Sequence, residues 1–252
     1  MNGTGIPVVK RETAGRQGKV AGQPAPTREL TLGCVFRQTS WDKDGYPIRD
    51  PDSTTHTGAV ETAEEFGRRL DGEAGKRGWS RALLRVVMGD GAEWIWNLAA
   101  LHFSGAILIV DLQHPCQHLW GLARSLYPQD EGKPKAWMKA HPKRLLDKGK
   151  IEKLVAALRS IAPSSPGVAD QLRTEADYFE RNAQPMRYPQ FRRQHLFVGS
   201  SVIEAGCKTV AASRLKRSGR FWTVRGANAI LALRCSHFNG RFEDYWESRR
   251  AA

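Results

Sequence analysis

Asp90 is the first residue of this sequence that suggests chemistry. The apolar segment Leu84–Met88 is typical of a buried strand, and Gly89, Asp90 and Gly91 follow it before a helical pattern begins. An acid at the carboxyl end of a buried strand lies at the rim of a sheet, where open α/β folds hold their reactive groups. Asp90 is therefore a candidate metal ligand. The alternative is an aspartate that caps the following helix.

Glu204 is the second candidate acid. It follows the apolar residues Val202 and Ile203 at the start of a helical pattern. Two carboxylates that share a pair of Mg²⁺ ions are what in-line phosphoryl transfer needs, and Mg²⁺ takes few protein carboxylates because it keeps several waters. The spacing thus favours Glu204 as the partner of Asp90 across a cleft. The alternative is that Glu204 caps its helix or pairs with Lys208 one turn later.

A second cluster consists of Asp111, His114 and His118, which follow the apolar run Ile107–Val110. The two histidines are four residues apart and therefore face the same side of a helix, a spacing that can hold a metal. The cluster has no further soft ligand nearby in sequence, so a zinc site is the less favoured interpretation. We expect these three residues to support a neighbouring site through hydrogen bonds or to be structural.

The charge of the chain predicts an anionic partner. The sequence contains 39 Lys and Arg against 26 Asp and Glu, a formal net charge of +13. Nucleic acid is the partner that such a basic chain most often binds, and an RNA-binding or ribosome-associated protein would have the same balance. The expected DNA contacts lie on a basic helix after Glu204 and just beyond it: Lys208, Arg214, Lys216, Arg217 and Arg225.

The lengths of the apolar runs and the spacing of the cysteines exclude two further classes of protein, membrane-spanning and zinc-ribbon proteins. No segment approaches the roughly 20 apolar residues of a membrane span, so the expected location is the cytoplasm. Paired C-x-x-C spacing is absent, which argues against a zinc ribbon and predicts reduced thiols. The four cysteines are Cys34, Cys116, Cys207 and Cys235.

The first part of the chain has the pattern of an antiparallel meander followed by a helix. Strands are predicted at Thr4–Val9, Leu30–Thr39 and Thr54–Val60, with a turn at Asp42–Gly45. Glu61–Arg77 has apolar residues at helical spacing, with acids early and basic residues late, as the helix dipole favours.

The pattern then becomes strand, helix, strand, helix up to Leu126. Three meander strands followed by a strand, a helix, a strand and a helix is the element order of the RNase H-like α/β fold. From about residue 128 to 193 strand signals vanish, which predicts an all-helical insertion. The expected organisation is therefore a first core part at 1–127, a helical insertion at 128–195 and a final core part at 196–252.

The aromatic residues can be interpreted either as core residues or as residues that stack on bases. Trp94, Trp120, Trp222 and Trp246 stand in apolar periodic segments and are predicted to lie mostly in the core. The segment from Arg220 to Arg225 interleaves cations with rings, a pattern that can stack on unpaired bases, although core packing is the favoured interpretation.

Several segments together resemble the DDE transposases of bacterial ISKra-type insertion sequences, distant relatives of the Mutator group. The resemblance covers nearly the whole chain. The segments are Gly89-Asp90-Gly91-Ala92-Glu93-Trp94-Ile95-Trp96, Val110-Asp111-Leu112-Gln113-His114, Gly149-Lys150-Ile151-Glu152-Lys153-Leu154, Phe197-Val198-Gly199-Ser200, Val202-Ile203-Glu204-Ala205-Gly206-Cys207-Lys208 and Phe221-Trp222-Thr223-Val224-Arg225-Gly226-Ala227-Asn228.

The resemblance implies a set of roles. Asp90 matches the second catalytic acid, Glu204 matches the final acid, and Asp111 with His114 matches a (C/D)-x-x-H motif. It also implies Mg²⁺ or Mn²⁺ as cofactor, transposon ends and target DNA as partners, and a location at the bacterial nucleoid. A homo-oligomer or an association with a full-length transposase is expected on the same ground.

The main departure from the family pattern lies at Asn2. The family's first acid belongs to an Asp-Gly-Thr motif, and here that motif reads Asn2-Gly3-Thr4. Because an amide offers one neutral oxygen and cannot bridge two ions, weak metal binding and lost activity are expected. The start at Met1 suggests the remnant of a longer transposase. The alternatives are a non-catalytic nucleic-acid-binding or regulatory protein, and an unrelated metal-dependent nuclease that uses Asp111 as a further acid.

Overall fold

A computed structural model describes residues 1–18, 23, 25–140, 142–199 and 201–250, which form a mixed α/β fold. The strands are β1 (Asn2–Pro7), β2 (Thr27–Val35), β3 (Gln38–Trp41), β4 (Pro47–Arg49), β5 (Thr55–Ala59), β6 (Val86–Gly89) and β7 (Ile107–Val110). The helices up to residue 193 are α1 (Ala63–Lys76), α2 (Glu93–His102), α3 (Gln113–Leu126), α4 (Lys133–Ala140), α5 (Pro142–Asp147), α6 (Ile151–Arg159), α7 (Pro166–Arg181) and α8 (Tyr188–Arg193). The last helices are α9 (Ser201–Gly206), α10 (Ser213–Leu215), α11 (Val224–Phe238) and α12 (Phe242–Arg250).

An antiparallel sheet of order β1-β2-β5 occupies the first part of the chain, with Asn2 opposite Leu32 and Thr31 opposite Ala59. The central strand β2 is covered on both faces in its second half, where its apolar residues belong to the cores on either side. On one face Leu32 belongs to a core shared with α9 and α11. On the other face a Cβ on Gly33 would lie 2.7 Å from Leu70 of α1, so this glycine allows the helix to approach closely.

The hairpin β3–β4 is inserted between β2 and β5. The predicted turn at Asp42–Gly45 is present, because Asp42 accepts hydrogen bonds from the backbone of Asp44 and Tyr46 and Gly45 has a φ of +83°. The single strand predicted for Leu30–Thr39 is interrupted after Val35, so that its last residues pair with β4 instead. No sequence pattern predicts β4, which has only three residues and begins with proline.

A parallel β6-α2-β7 unit follows α1. The strands pair in register from Val86 opposite Ile107 to Gly89 opposite Val110. The preceding helix begins at a capping box formed by Thr62 and Glu65, and its buried Phe66 packs in one core with α2. The backbone nitrogen of Met1 donates a 2.9 Å hydrogen bond to the carbonyl of Met88, which joins the start of β1 to β6.

The described residues between 128 and 195 form helices α4 to α8, a 3₁₀ turn at Gln184–Met186 and connecting segments. These helices do not have a core of their own. Phe179 and Tyr188 are buried together with Ile109 of β7 and Leu119 of α3 in one apolar cluster. The helical segment is therefore packed directly onto the β6–β7 end of the molecule.

The C-terminal helices cover the β1–β2–β5 sheet. The basic helix expected after Glu204 is broken into α9, a π-helical stretch at Cys207–Ala212 and α10. Asn228 and Asn239 each hydrogen bond to both backbone groups of one residue, Val60 and His56, and thereby satisfy the outer edge of β5. Among the described residues, no helix has the length and apolar character needed to cross a membrane.

Candidate functional site

Asp90 lies directly after β6, in a turn that precedes α2. One carboxylate oxygen accepts a 2.9 Å hydrogen bond from the backbone nitrogen of Ala92, and the next residue, Gly91, has a φ of +89°. The N-cap residue of α2 is Ala92, so Asp90 does not occupy the capping position that was the alternative to a metal ligand. The aspartate instead shapes the turn, while its half-buried carboxylate lies at the edge of the parallel strands.

Asp111 occupies the equivalent position on the neighbouring strand. Its backbone nitrogen donates a 2.8 Å hydrogen bond to the carbonyl of Gly89, and its carboxylate accepts from the backbone of Gln113 at 3.0 Å. Because β6 and β7 are parallel, their carboxyl ends meet at one edge of the pair. Asp90 and Asp111 are therefore brought to the same edge, and Asp111 is the more buried of the two.

The two histidines of the second cluster stand on α3 beside these acids. Their ring centroids are 5.2 Å apart, and the Nδ1 atom of His118 lies 2.7 Å from a carboxylate oxygen of Glu175 on α7. Burial lowers the pKa of His114 and outweighs the opposing charges of Asp90 and Asp111. The imidazole of His114 is consequently neutral at pH 7, as a metal ligand or hydrogen-bond acceptor must be.

Helix α7 holds the Asp90 turn from the other side. The hydroxyl of Tyr178 donates a 2.8 Å hydrogen bond to the backbone carbonyl of Asp90, and its ring stacks on His118 with centroids 4.1 Å apart. Burial, together with the charge of Asp90, raises the pKa of Tyr178, so its hydroxyl remains a donor. The side chain of Asn182 donates to the carbonyl of Gly91 and accepts from Trp96, which fixes the turn at a second point.

Glu175, Tyr178 and Asn182 were not identified from the sequence. Their signal is present, however, because these polar residues fall on the same buried face of α7 as Leu172 and Phe179. Polar groups on a buried helix face are expected to have specific partners. What the sequence does not reveal is that the partners come from α2, α3 and the Asp90 turn.

Asn2 and Glu204 are positioned by other elements. Asn2 is the first residue of β1 and follows Met1, whose amino nitrogen donates a hydrogen bond to the carbonyl of Met88 on β6. Glu204 belongs to α9, whose Ile203 is buried in the core beneath β1 and β2. The structure thus gathers Asp90 with the α3 histidines, whereas Glu204 is held by the neighbouring core.

The alternative pairing of Glu204 with Lys208 is not observed in the described part of the chain, where no ion pair joins the two side chains. The pKa of Cys207 is raised mainly by burial and, to a smaller extent, by the negative charge of Glu204. The carboxylate of Glu204 is half-buried and is not neutralised by the lysine one turn later.

The expected DNA contacts are mostly exposed. Four of the five cations, Lys208, Lys216, Arg217 and Arg225, are exposed, and Arg214 is half-buried. The amine of Lys216 donates a hydrogen bond to the hydroxyl of Thr4 on β1. This places one of the predicted DNA-binding cations along the strand that begins with Asn2.

The aromatic prediction was only partly correct. Trp94, Trp120 and Trp222 are half-buried against apolar cores, as expected. Trp246 is 41% exposed and Phe221 is 66% exposed, so neither is a core residue. Phe221 lies in a short extended link before α11, where its neighbour Trp222 occupies the inward-facing position instead.

The residues present do not fit a site ready for two divalent cations. Carboxylates suit Mg²⁺ and Mn²⁺, whereas the side chain at position 2 is a neutral amide that cannot bridge two ions. Within the part of the chain that the structure describes, no group of three or more His, Cys, Asp or Glu side chains is arranged to hold a metal ion.

No family model matches this chain, and comparisons with curated proteins and with solved structures found no match.

Proposed function

We propose that this chain is the catalytic-core region of a DDE-type DNA transposase in which the catalytic site is degenerate and DNA binding remains. On this proposal the core has the RNase H-like strand order, and Asn2, Asp90 and Glu204 occupy the positions of the three acids. Transposon ends and target DNA are the expected substrates. A second copy or an active transposase is the expected protein partner.

The hydrogen bond from Met1 to Met88 is the observation that carries the proposal. It connects Met1, the residue before β1, to Met88 of β6, and so brings the start of the β1-β2-β5 sheet next to the β6–β7 pair. On this proposal the strands continue across the contact in the order β5-β2-β1-β6-β7, with β2 antiparallel to its neighbours and β6 parallel to β7. An RNase H-like core has this order, and it would set position 2 beside Asp90.

The chemistry of position 2 supports a degenerate site. Transfer of a phosphoryl group in these enzymes depends on two metal ions that stabilise the attacking and leaving oxygens. An asparagine at this position removes one negative charge and the bridging geometry of a carboxylate. We therefore expect the wild-type chain to bind Mg²⁺ and Mn²⁺ weakly and to leave DNA uncut.

The test is nicking of supercoiled plasmid DNA with Mg²⁺ or Mn²⁺ as the added ion. The wild-type chain should leave the plasmid intact, and Asn2→Asp should produce relaxed circles that disappear again in Asn2→Asp/Asp90→Ala and in Asn2→Asp/Glu204→Ala. Asn2→Ser is the matched control, because it changes the residue without adding a charge. Thermal melting of each variant would verify that the chain is folded.

Two outcomes would point elsewhere. Cleavage by the wild-type chain that is lost in Asp111→Ala would favour an unrelated metal-dependent nuclease, since Asp111 already stands beside Asp90 at the strand ends. DNA binding without nicking in any variant, combined with inhibition of an active transposase, would favour a purely regulatory protein.

A further inference from the structure

An exposed aromatic side chain surrounded by cations lies at the far end of β1 from Asn2. We call it the Phe221 surface and define it as Lys10, Arg11, Arg220, Phe221 and Arg225. The backbone brings these residues together, because Val8 pairs with Trp222 in a parallel bridge and the nitrogen of Val9 donates to the carbonyl of Trp222. The 3₁₀ turn at Lys10–Thr13 is thereby held next to the segment that carries Phe221.

Within the described residues, the side chains of the Phe221 surface are exposed and its cations form no ion pairs. Phe221 is 66% exposed although its neighbour Trp222 packs in the core. All four cations are exposed, and none of them forms an ion pair with another described residue. One acid stands nearby, Glu12, and it faces the backbone nitrogen of Val224 at 3.4 Å. An exposed ring beside unpaired cations offers a stacking face and positive charge on the same surface.

We infer that the Phe221 surface binds an unpaired segment of DNA, with one base stacked on Phe221 and the phosphates beside the cations. Single-stranded nucleic acid is bound in this way elsewhere, since any base offers a face to an aromatic ring and cations follow the backbone. A duplex fits less well because its bases are already stacked. The inference rests on the proposed function and deepens it by naming the form of DNA that is held.

The position relative to the candidate site supports this assignment. Asn2 and Val8 are separated by roughly 20 Å, at the strand rise of about 3.3 Å per residue. Lys216 contacts Thr4 between them, and the exposed Arg217 follows it in sequence. Lys216 therefore places a positive charge beside β1 between the candidate site and the Phe221 surface. A strand separated from its complement near Asp90 would pass this charge.

The experiment measures binding of a fluorescein-labelled oligothymidylate of roughly 12 nucleotides, a length within the range of known single-strand sites, by fluorescence anisotropy. A blunt duplex of the same length is the second probe. Phe221→Ala should weaken binding of the single strand at least about fivefold, the lower end for loss of one base–aromatic stack, and should change duplex binding by less than about twofold. Phe221→Trp should restore single-strand binding.

Tyr46→Ala is the matched control, because Tyr46 is an equally exposed aromatic residue, 68%, on the β3–β4 hairpin. It should bind both probes as the wild type does. Arg220→Gln should reduce the salt dependence of single-strand binding, since one fewer counterion is released. The melting temperature of Phe221→Ala should equal that of the wild type, because the ring is exposed.

Three results would overturn the inference. If Phe221→Ala and the wild type bind the single strand with the same affinity, the inference about the Phe221 surface is wrong, and the proposed function is unaffected. Self-association that depends on Phe221 while oligonucleotide affinity does not would show that the surface is covered by a second copy. Failure of the wild-type chain to bind either probe would instead contradict the proposed function itself.

Discussion

At the scale of single residues, the geometry of the Asp90 turn is set by groups that do no chemistry themselves. Gly91 adopts a φ of +89°, a conformation that glycine accepts without strain. A Cβ at this position would lie 2.9 Å from the ring of Tyr178 and 3.2 Å from the side-chain amide of Asn182. The position of the Asp90 carboxylate therefore depends on Gly91, because Tyr178 and Asn182 leave no room for a larger residue there.

Gly91→Ala should destabilise the chain by about 1–3 kcal/mol from backbone strain alone, and the clash with Tyr178 should add to that cost. Urea denaturation followed by circular dichroism would measure the free energy of unfolding. Gly72→Ala on α1 is the control: nothing lies within 4 Å of the added Cβ, so this change should stabilise the helix by about 0.5–1 kcal/mol. Equal effects of the two substitutions would contradict the role given to the turn.

At the scale of elements, buried polar contacts join helices to parts of the chain distant in sequence. Glu73 of α1 is buried and accepts two hydrogen bonds from the guanidinium of Arg241, just before α12. Burial opposes the charge of Glu73, but the hydrogen bonds and the positive charge of Arg241 outweigh it and hold the pKa of Glu73 below its ordinary value. The ion pair thus fixes the C-terminal helices to α1 while Glu73 is ionised.

This lowered pKa predicts a pH dependence of stability. The contribution of Glu73 is fully present above the pKa of an unfolded glutamate, about 4.3, and is lost as the pH falls through the lower folded value. The stability difference between the wild type and Glu73→Gln should therefore be largest near pH 7 and should shrink below about pH 4. Urea denaturation at both pH values would measure it.

Glu64→Gln on the same helix is the control for this experiment. Glu64 pairs with Arg68, but its side chain is 71% exposed, so the pair contributes little to stability. The difference between the wild type and Glu64→Gln should be small at both pH values. A difference for Glu73→Gln that stayed constant from pH 7 to below pH 4 would show that its charge does not contribute as described.

The elements themselves could be predicted from the sequence to an unequal degree. The β6-α2-β7 unit and α1 were located to within about two residues, because apolar runs and helical periodicity are local signals. The π-helical stretch at Cys207–Ala212 was missed, since its apolar spacing is close to that of an α-helix. Of the candidate site, Asp90 and Asp111 were recognisable at strand ends, whereas Glu175 depends on how α7 folds back onto α3.

At the scale of the whole molecule, two bodies of structure meet at β1. One is the antiparallel sheet with the C-terminal helices, and the other is the β6–β7 pair with α3 to α8. The Met1–Met88 hydrogen bond and the packing of Met1 beside α1 and α2 link them. In the proposed function, the missing charge at Asn2 lies at this junction and disables the site, while Lys216 beside β1 and the cations of the Phe221 surface are retained.

The measurement that tests this account most directly is the affinity of Mn²⁺ for the wild-type chain and for Asn2→Asp, by isothermal titration calorimetry. A carboxylate placed beside Asp90 should raise the affinity at least about tenfold, and Asp90→Asn in the same background should cancel the gain. Asn97→Asp, which adds a charge at an exposed position on α2, should leave the affinity unchanged. Equal Mn²⁺ affinity in the wild type and Asn2→Asp would show that position 2 does not face Asp90 and would contradict the account.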